Sequence, residues 1–170
     1  MPEEPLGHEE EEISGWKLES PVAEYGTKRP AEDAWMAVLT ELGVGATEGG
    51  KLQQVREVLR RGLPREVFER LRQTLGVPAE ELADVLGIPL RTLARRTERF
   101  KRDESERLLR VWAVVHMALA LVEEPAALQR WMTQPKRALG GLSPLRCCDT
   151  ELGAREVEAL LGRIAHGVFS

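Results

Sequence analysis

The residues best equipped for chemistry in this chain are arginines. Arg91, Arg95, Arg96 and Arg99, with Thr92 among them, follow Ile88-Pro89 at spacings that suit a helix. A guanidinium donates two parallel hydrogen bonds, so it fits both the oxygens of a phosphate and the edge of a guanine. On a helix that starts near Pro89, these five residues are the exposed ones. Arg91 and Arg95 lie on its outward face, near the start and the middle, where a helix docked in a major groove makes its contacts. Arginines also solvate the outer side of amphipathic helices, so this reading depends on the elements around them.

Other reactive side chains point away from catalysis. His8, His116 and His166 are dispersed, no glycine-rich phosphate loop occurs, and no paired carboxylates sit in an apolar setting. Cys147 and Cys148 are adjacent, which rules out a disulfide framework and lacks metal-ligand spacing; they read as small residues in a packed turn. His116 falls in an apolar run and reads as a hydrogen-bonded core or interface residue. The expectation is therefore a protein without enzymatic activity, cofactor or metal.

The formal charge of −4 argues at first against a nucleic-acid partner. It is unevenly placed. Residues 1–33 hold ten acids and three bases, a balance of −7, so residues 34–170 carry +3; within them, 91–102 holds six bases and one acid, or +5. A phosphate backbone responds to local potential, not to the mean. The first residues are acidic and lack an apolar core segment, unlike a signal peptide. The apolar run from Val111 to Val122 is interrupted by His116 and is shorter than the ~20 residues a bilayer needs. A cytoplasmic, reducing setting without membrane contact is expected.

The elements that must position the arginines are helical. Leu, Ala, Arg and Glu abound, aromatic residues are 5% of the chain, and no segment alternates with period two. Residues 1–30 read as a disordered acidic arm. Apolar residues recur at helical intervals over 31–42 (Trp35, Val38, Leu39, Leu42), 51–61 and 64–75, with Gly43, Gly62 and Gly76 as stops. A long helix over 104–122 is apolar on most sides. Helix 125–133 opens with a proline, a loop spans 134–150, and a last helix covers roughly 153–166. The chain is expected to be all-α: a helical domain over 31–102 with a helix-turn-helix at about 79–97, then a small helical domain over 103–170.

The helix-turn-helix has a steric reason at each step. Ala83 faces the second helix where a larger side chain would push the two apart, and Gly87 permits a left-handed turn. Leu82, Leu86, Ile88 and Leu93 form the small core that fixes the interhelical angle.

Beyond Trp131 the chain holds almost no chemistry but much shape. Leu139 runs into Gly140-Gly141, a Ser143-Pro144 turn follows, and an apolar last helix ends in Gly167, Val168 and Phe169. Two glycines allow a sharp turn and Pro144 stiffens its exit; a rigid loop loses little entropy when it enters another protein's cleft. Trp131 and Phe169 suit the role of aromatic anchors. Trp131 equally suits a core position under the long helix, and the tail either packs on its own domain or meets a partner.

LGVPAEELADVLGIPLRTLARR, then DESERLLRVWAVVHMAL, then Trp131 to the end resemble the Xre/ParS-type antitoxins that neutralise RES-domain toxins. The likeness spans about residues 51–170. It includes Trp131 with Pro135, Ala138-Leu139-Gly140-Gly141, Pro144-Leu145, Gly153, Val157, Leu160, Ile164 and Gly167-Val168-Phe169. It departs from the pattern at Cys147-Cys148, where larger aliphatic residues are usual, and in the acidic arm. The resemblance implies a helix-turn-helix that represses its own operon and a C-terminal domain that occludes a cognate RES-domain toxin, an enzyme that consumes or transfers from NAD. On that basis toxin-binding roles are expected for Trp131, Leu139, Gly140, Gly141, Pro144, Leu145, Ile164, Val168 and Phe169. DNA-binding roles fall to Arg91, Thr92, Arg95, Arg96 and Arg99. Operator DNA and a homodimer that matches a palindrome complete the expected partners. The competing reading is a free-standing helix-turn-helix regulator whose C-terminal domain dimerises or senses a ligand.

Overall fold

The computed structural model describes residues 37–40, 50–95, 98–122 and 124–167, and all elements among them are helical. Residues 37–40 are helical, with Val38 and Leu39 buried. The acidic arm, the rest of the 31–42 helix, Arg96 and the terminal Val168 and Phe169 lie outside the described residues.

Among the described residues, eight α-helices follow from residue 51. They are α1 (Lys51–Arg61), α2 (Arg65–Leu75), α3 (Ala79–Val85), α4 (Leu90–Arg95), α5 (Arg102–Leu119), α6 (Pro125–Thr133), α7 (Pro144–Cys147) and α8 (Glu151–Ala165). A 3-10 turn, Arg137–Leu139, sits between α6 and α7.

Helix α5 is the strut. Leu108, Leu109, Val111, Trp112, Ala113, Val114 and Val115 are all buried, and α1, α6 and α8 pack around it. Its indole Nε1 at Trp112 donates to the Val67 carbonyl on α2 (3.1 Å), and the buried Ser105 hydroxyl accepts from the Leu63 amide (2.9 Å). Both bonds give buried polar atoms a partner and fix α5 against the α1–α2 corner. The hydrophobic core is one continuous cluster from Val38 to Ile164. The expected boundary at residue 103 therefore falls at the start of a helix whose buried side is shared by elements before and after it.

Three expectations need correction. The long helix begins two residues earlier and ends at Leu119; Leu121 and Val122 are buried beyond its end, so apolar pattern alone overextended it. The last helix starts at Glu151 because the Thr150 hydroxyl caps it, accepting from the Gly153 amide (3.0 Å). The stretch 134–150 is not a loop throughout. Ser143 caps α7 by accepting from the Arg146 amide (3.3 Å), with Pro144 at the first helical position; four residues are too few to show a helical period.

Candidate functional site

The turn between α3 and α4 forms as its residues require. Gly87 adopts φ +61° and closes a Schellman motif: its amide donates to the Asp84 carbonyl (2.9 Å) and that of Ile88 to the Ala83 carbonyl (2.8 Å). Ala83, Leu82, Leu86, Ile88 and Leu93 are all buried, as the helix-turn-helix reading demands. Pro89 accepts the first amides of α4, from Thr92 (2.8 Å) and Leu93 (3.0 Å). Leu93 is the buried residue of this six-residue helix, and its carbonyl accepts a hydrogen bond from the Arg65 guanidinium.

That anchoring leaves Arg91 and Arg95 exposed and Thr92 half-exposed on the outer side. Arg91, Thr92 and Arg95 line a concavity of about 260 Å³, together with Lys101 from the start of α5. Arg99 lies elsewhere. After α4 the chain returns to the α1–α2 corner, where the Arg65 amide donates to the Glu98 carbonyl and the Phe100 amide to the Leu63 carbonyl (both 2.9 Å). There the Arg99 guanidinium donates to the Gly62 carbonyl (2.7 Å). Its expected place on the face of the second helix is thus corrected: Arg99 ties a corner.

The second surface is built by residues 136–142. Five backbone hydrogen bonds close this loop: Lys136 amide to Leu142 carbonyl (2.9 Å), Leu139 and Gly141 amides to the Lys136 carbonyl (3.0 and 2.9 Å), Gly140 to Arg137 (3.0 Å) and Leu142 to Leu139 (3.3 Å). Gly140 and Gly141 take φ +67° and +83°, consecutive left-handed conformations that side chains resist. A Cβ at either would meet nothing within 4 Å, so conformation, not space, selects glycine here. The loop stands on a buried platform. Trp131 is 3% exposed, Lys136 is buried with its ammonium 6.0 Å from the Trp131 ring centroid, and Met132, Pro144 and Leu145 are also enclosed.

Comparison with known proteins decides what this pair of surfaces belongs to. A family model described as the antitoxin Xre-like helix-turn-helix domain matches residues 54–111, and one described as the antitoxin Xre/MbcA/ParS C-terminal toxin-binding domain matches residues 117–167. A protein named Antitoxin Xre from Yersinia enterocolitica is 35% identical over 138 residues, covering 79% of this chain and 91% of the relative. The chain belongs to the Xre antitoxin family. Another Antitoxin Xre, from Photorhabdus laumondii, is 32% identical over 117 residues, 66% of this chain and 79% of the relative. A protein named Prs ADP-ribosylating antitoxin, from a Sphingobium species, is 28% identical over 125 residues, again 66% and 79%.

The toxin-binding match therefore spans the end of α5, α6, the glycine loop, α7 and α8. Within it, the structure separates the expected contact residues into two groups. Gly140 and Gly141 are exposed. Trp131, Leu139, Pro144, Leu145 and Ile164 are buried in the chain's own core, which for Trp131 is the core position that the sequence also allowed, and there they hold the loop and α8 in position. Val168 and Phe169 fall outside the described residues. The pattern also missed Leu142, 54% exposed at the end of the loop, and Leu152 on α8. Leu139 and Leu142 are three apart in an irregular segment, and nothing in their spacing tells which one turns outward.

The cysteines are free and buried. Burial, reinforced by each other's proximity and by Asp149, pushes the Cys148 thiol up, and burial does the same at Cys147. The Cys148 thiol lies 3.2 Å from the Pro144 carbonyl it donates to. A thiol held protonated is a poor nucleophile or ligand. Among the described residues no group of His, Cys, Asp and Glu could hold a metal ion, and no helix is long and apolar enough to cross a membrane.

Proposed function

We propose that this chain is the antitoxin of a type II toxin–antitoxin pair, that it inhibits a cognate RES-domain toxin by occluding its active site, and that it acts without catalysing a reaction. The toxin's chemistry is the consumption of NAD or the transfer of ADP-ribose, a reading supported by the name of the Sphingobium relative. The observation that carries the proposal is the 136–142 loop. A hydrogen-bonded turn with exposed glycines and Leu142, set on a buried tryptophan platform inside the toxin-binding match, is ordered before it meets a partner. Such preorganisation lowers the entropic cost of filling a cleft.

The helix-turn-helix adds a second role: repression of its own operon in the cytoplasm, by a homodimer on a palindromic operator. Arg91, Thr92 and Arg95 carry the DNA contacts, and Arg96 lies beside them in sequence.

Co-expression tests the first role. The gene for this chain is induced together with its genomic neighbour encoding a RES-domain enzyme, and growth, cellular NAD and copurification are followed. Rescued growth with a stable complex is expected. Growth arrest that persists, with no complex recovered, sinks the antitoxin reading.

A further inference from the structure

We infer, resting on the DNA-binding reading above, that the concavity lined by Arg91, Thr92, Arg95 and Lys101 is a phosphate site that seats one phosphodiester of the DNA backbone, with Lys101 supplying its third positive charge.

The charge balance of the concavity is the first ground. Among the described residues, three cationic side chains and one hydroxyl line it and no carboxylate does. Several arginines elsewhere meet acids: Arg60 and Arg61 with Glu57, Arg72 with Glu69, Arg102 with Glu106, Arg107 with Asp103, Arg155 with Glu151. Among the described residues, Arg91, Arg95 and Lys101 have no such partner. Of the four acids within five residues of Lys101, Glu98 is exposed and is not among the described residues that line the concavity, and the other three are engaged outside it. Asp103 meets Arg107 (3.2 Å), Glu106 meets Arg102 (3.1 Å), and the buried Glu104 accepts from the Lys101 backbone amide (2.7 Å). An unneutralised cluster of three cations repels itself and is relieved by an anion.

The second ground is how the site is held. Its cations come from two elements that other bonds fix. Leu93 and the Arg65 bond to its carbonyl seat α4, while the Glu104 bond and the Ser105 amide donating to the Lys101 carbonyl (2.8 Å) fix the backbone of Lys101. A phosphate gains from this arrangement more than a base does. Guanine offers two neutral acceptors in one plane, which a single guanidinium satisfies. A phosphodiester offers charged, tetrahedrally disposed oxygens that take a fork, a hydroxyl and a point-charge ammonium from different directions. Contacts of this kind set the register of a helix on the duplex and leave sequence to other residues.

Lys101→Gln provides the test, measured by fluorescence anisotropy against two duplexes, one covering the region upstream of its own gene and one with that sequence shuffled. Lys101 is exposed, and an unchanged melting curve shows that the variant folds. The expected result is an equal loss on both duplexes and a salt slope smaller by about 1, so that the wild-type advantage shrinks about threefold to fourfold between ~50 and ~200 mM salt. Lys101→Arg is expected to keep the slope. A loss confined to one duplex, or an unchanged slope, overturns the phosphate assignment while the DNA-binding reading stands. A wild-type chain that binds neither duplex overturns that reading as well. Inorganic phosphate alone, titrated by NMR, separates the sources: saturation below about 1 mM without duplex binding assigns the site to a free anion and overturns the backbone assignment.

Discussion

The arginine face of α4 and the glycine loop after α6 are both exposed, but they are built in opposite ways. The loop has its shape fixed by five hydrogen bonds within seven residues and stands on buried tryptophan, proline and leucine. The arginine face has its charge fixed instead, on a six-residue helix seated by one buried leucine and one guanidinium bond. A cleft in a folded enzyme rewards rigidity, whereas a phosphate backbone rewards positive potential and tolerates side chains that adjust. One surface thus stands on buried side chains, and the other presents cations that have no acidic partner among the described residues.

The largest test of this contrast separates platform from surface in the C-terminal half. Trp131→Ala is expected to cost about 3–5 kcal/mol of stability, since a buried aromatic is replaced by a cavity. Leu142→Asp is expected to leave the melting temperature almost unchanged while weakening capture of the toxin about tenfold or more. Thermal melts and toxin pull-downs on the two variants read this directly. If Leu142→Asp unfolds the protein, or Trp131→Ala melts like wild type, the division between support and contact surface is wrong.

A smaller effect probes how the platform is joined to α8. A Cβ at Gly153 would lie 1.9 Å from the Cys147 carbonyl, so Gly153→Ala must force α7 and α8 apart; a loss of about 2–3 kcal/mol is expected. Gly162 on the same helix has nothing within 4 Å of such a Cβ. Gly162→Ala is therefore expected to stabilise by about 0.5–1 kcal/mol through helix propensity. Denaturant titrations that gave both substitutions the same sign would show that close approach is not what Gly153 provides.

For the arginine face, Arg95→Ala is expected to lower affinity for operator DNA by about 1–3 kcal/mol. It should change neither the melting temperature nor toxin capture, because Arg95 is exposed and has no ion-pair partner among the described residues. Reduced toxin capture by this variant would mean that the two surfaces are not separate.

Much of this architecture was legible in the sequence because burial imprints a period. Helices 51–61 and 125–133 have the expected bounds, and Ala83, Gly87 and the small apolar core around them behave as a helix-turn-helix requires. Resemblance to a family carried the function further than any spacing did. Other features left no local trace. Helix α7 is too short for a period, and Arg99 is drawn to the Gly62 carbonyl by a chain reversal that only the tertiary fold creates. Trp131 satisfies the composition of an interface anchor and of a core equally well; only its surroundings, Lys136 and the α6–α7 packing, decide for the core. Lys101 stands outside the helix-turn-helix in sequence and joins Arg91 and Arg95 only in space.

The smallest effect tests whether α8, beside the platform, carries an electrostatic cost of its own. Glu158 on α8 is half-buried, and burial first, then the Glu151 carboxylate, raise its pKa, with Arg155 opposing. The folded state therefore holds this proton more tightly than the unfolded one. The cost is fully present above the raised folded value and vanishes as pH falls to the ordinary carboxylate range. Glu158→Gln removes the charge, so it is expected to raise the melting temperature at pH 7 and to leave it near wild type at about pH 4. Equal shifts at both pH values would mean that the substitution acts through packing, and a lower melting temperature at pH 7 would mean that the charged carboxylate stabilises α8. The rigidity of one surface is thus accompanied by a half-buried acid on α8, while Arg91 and Arg95 of the other are exposed on α4.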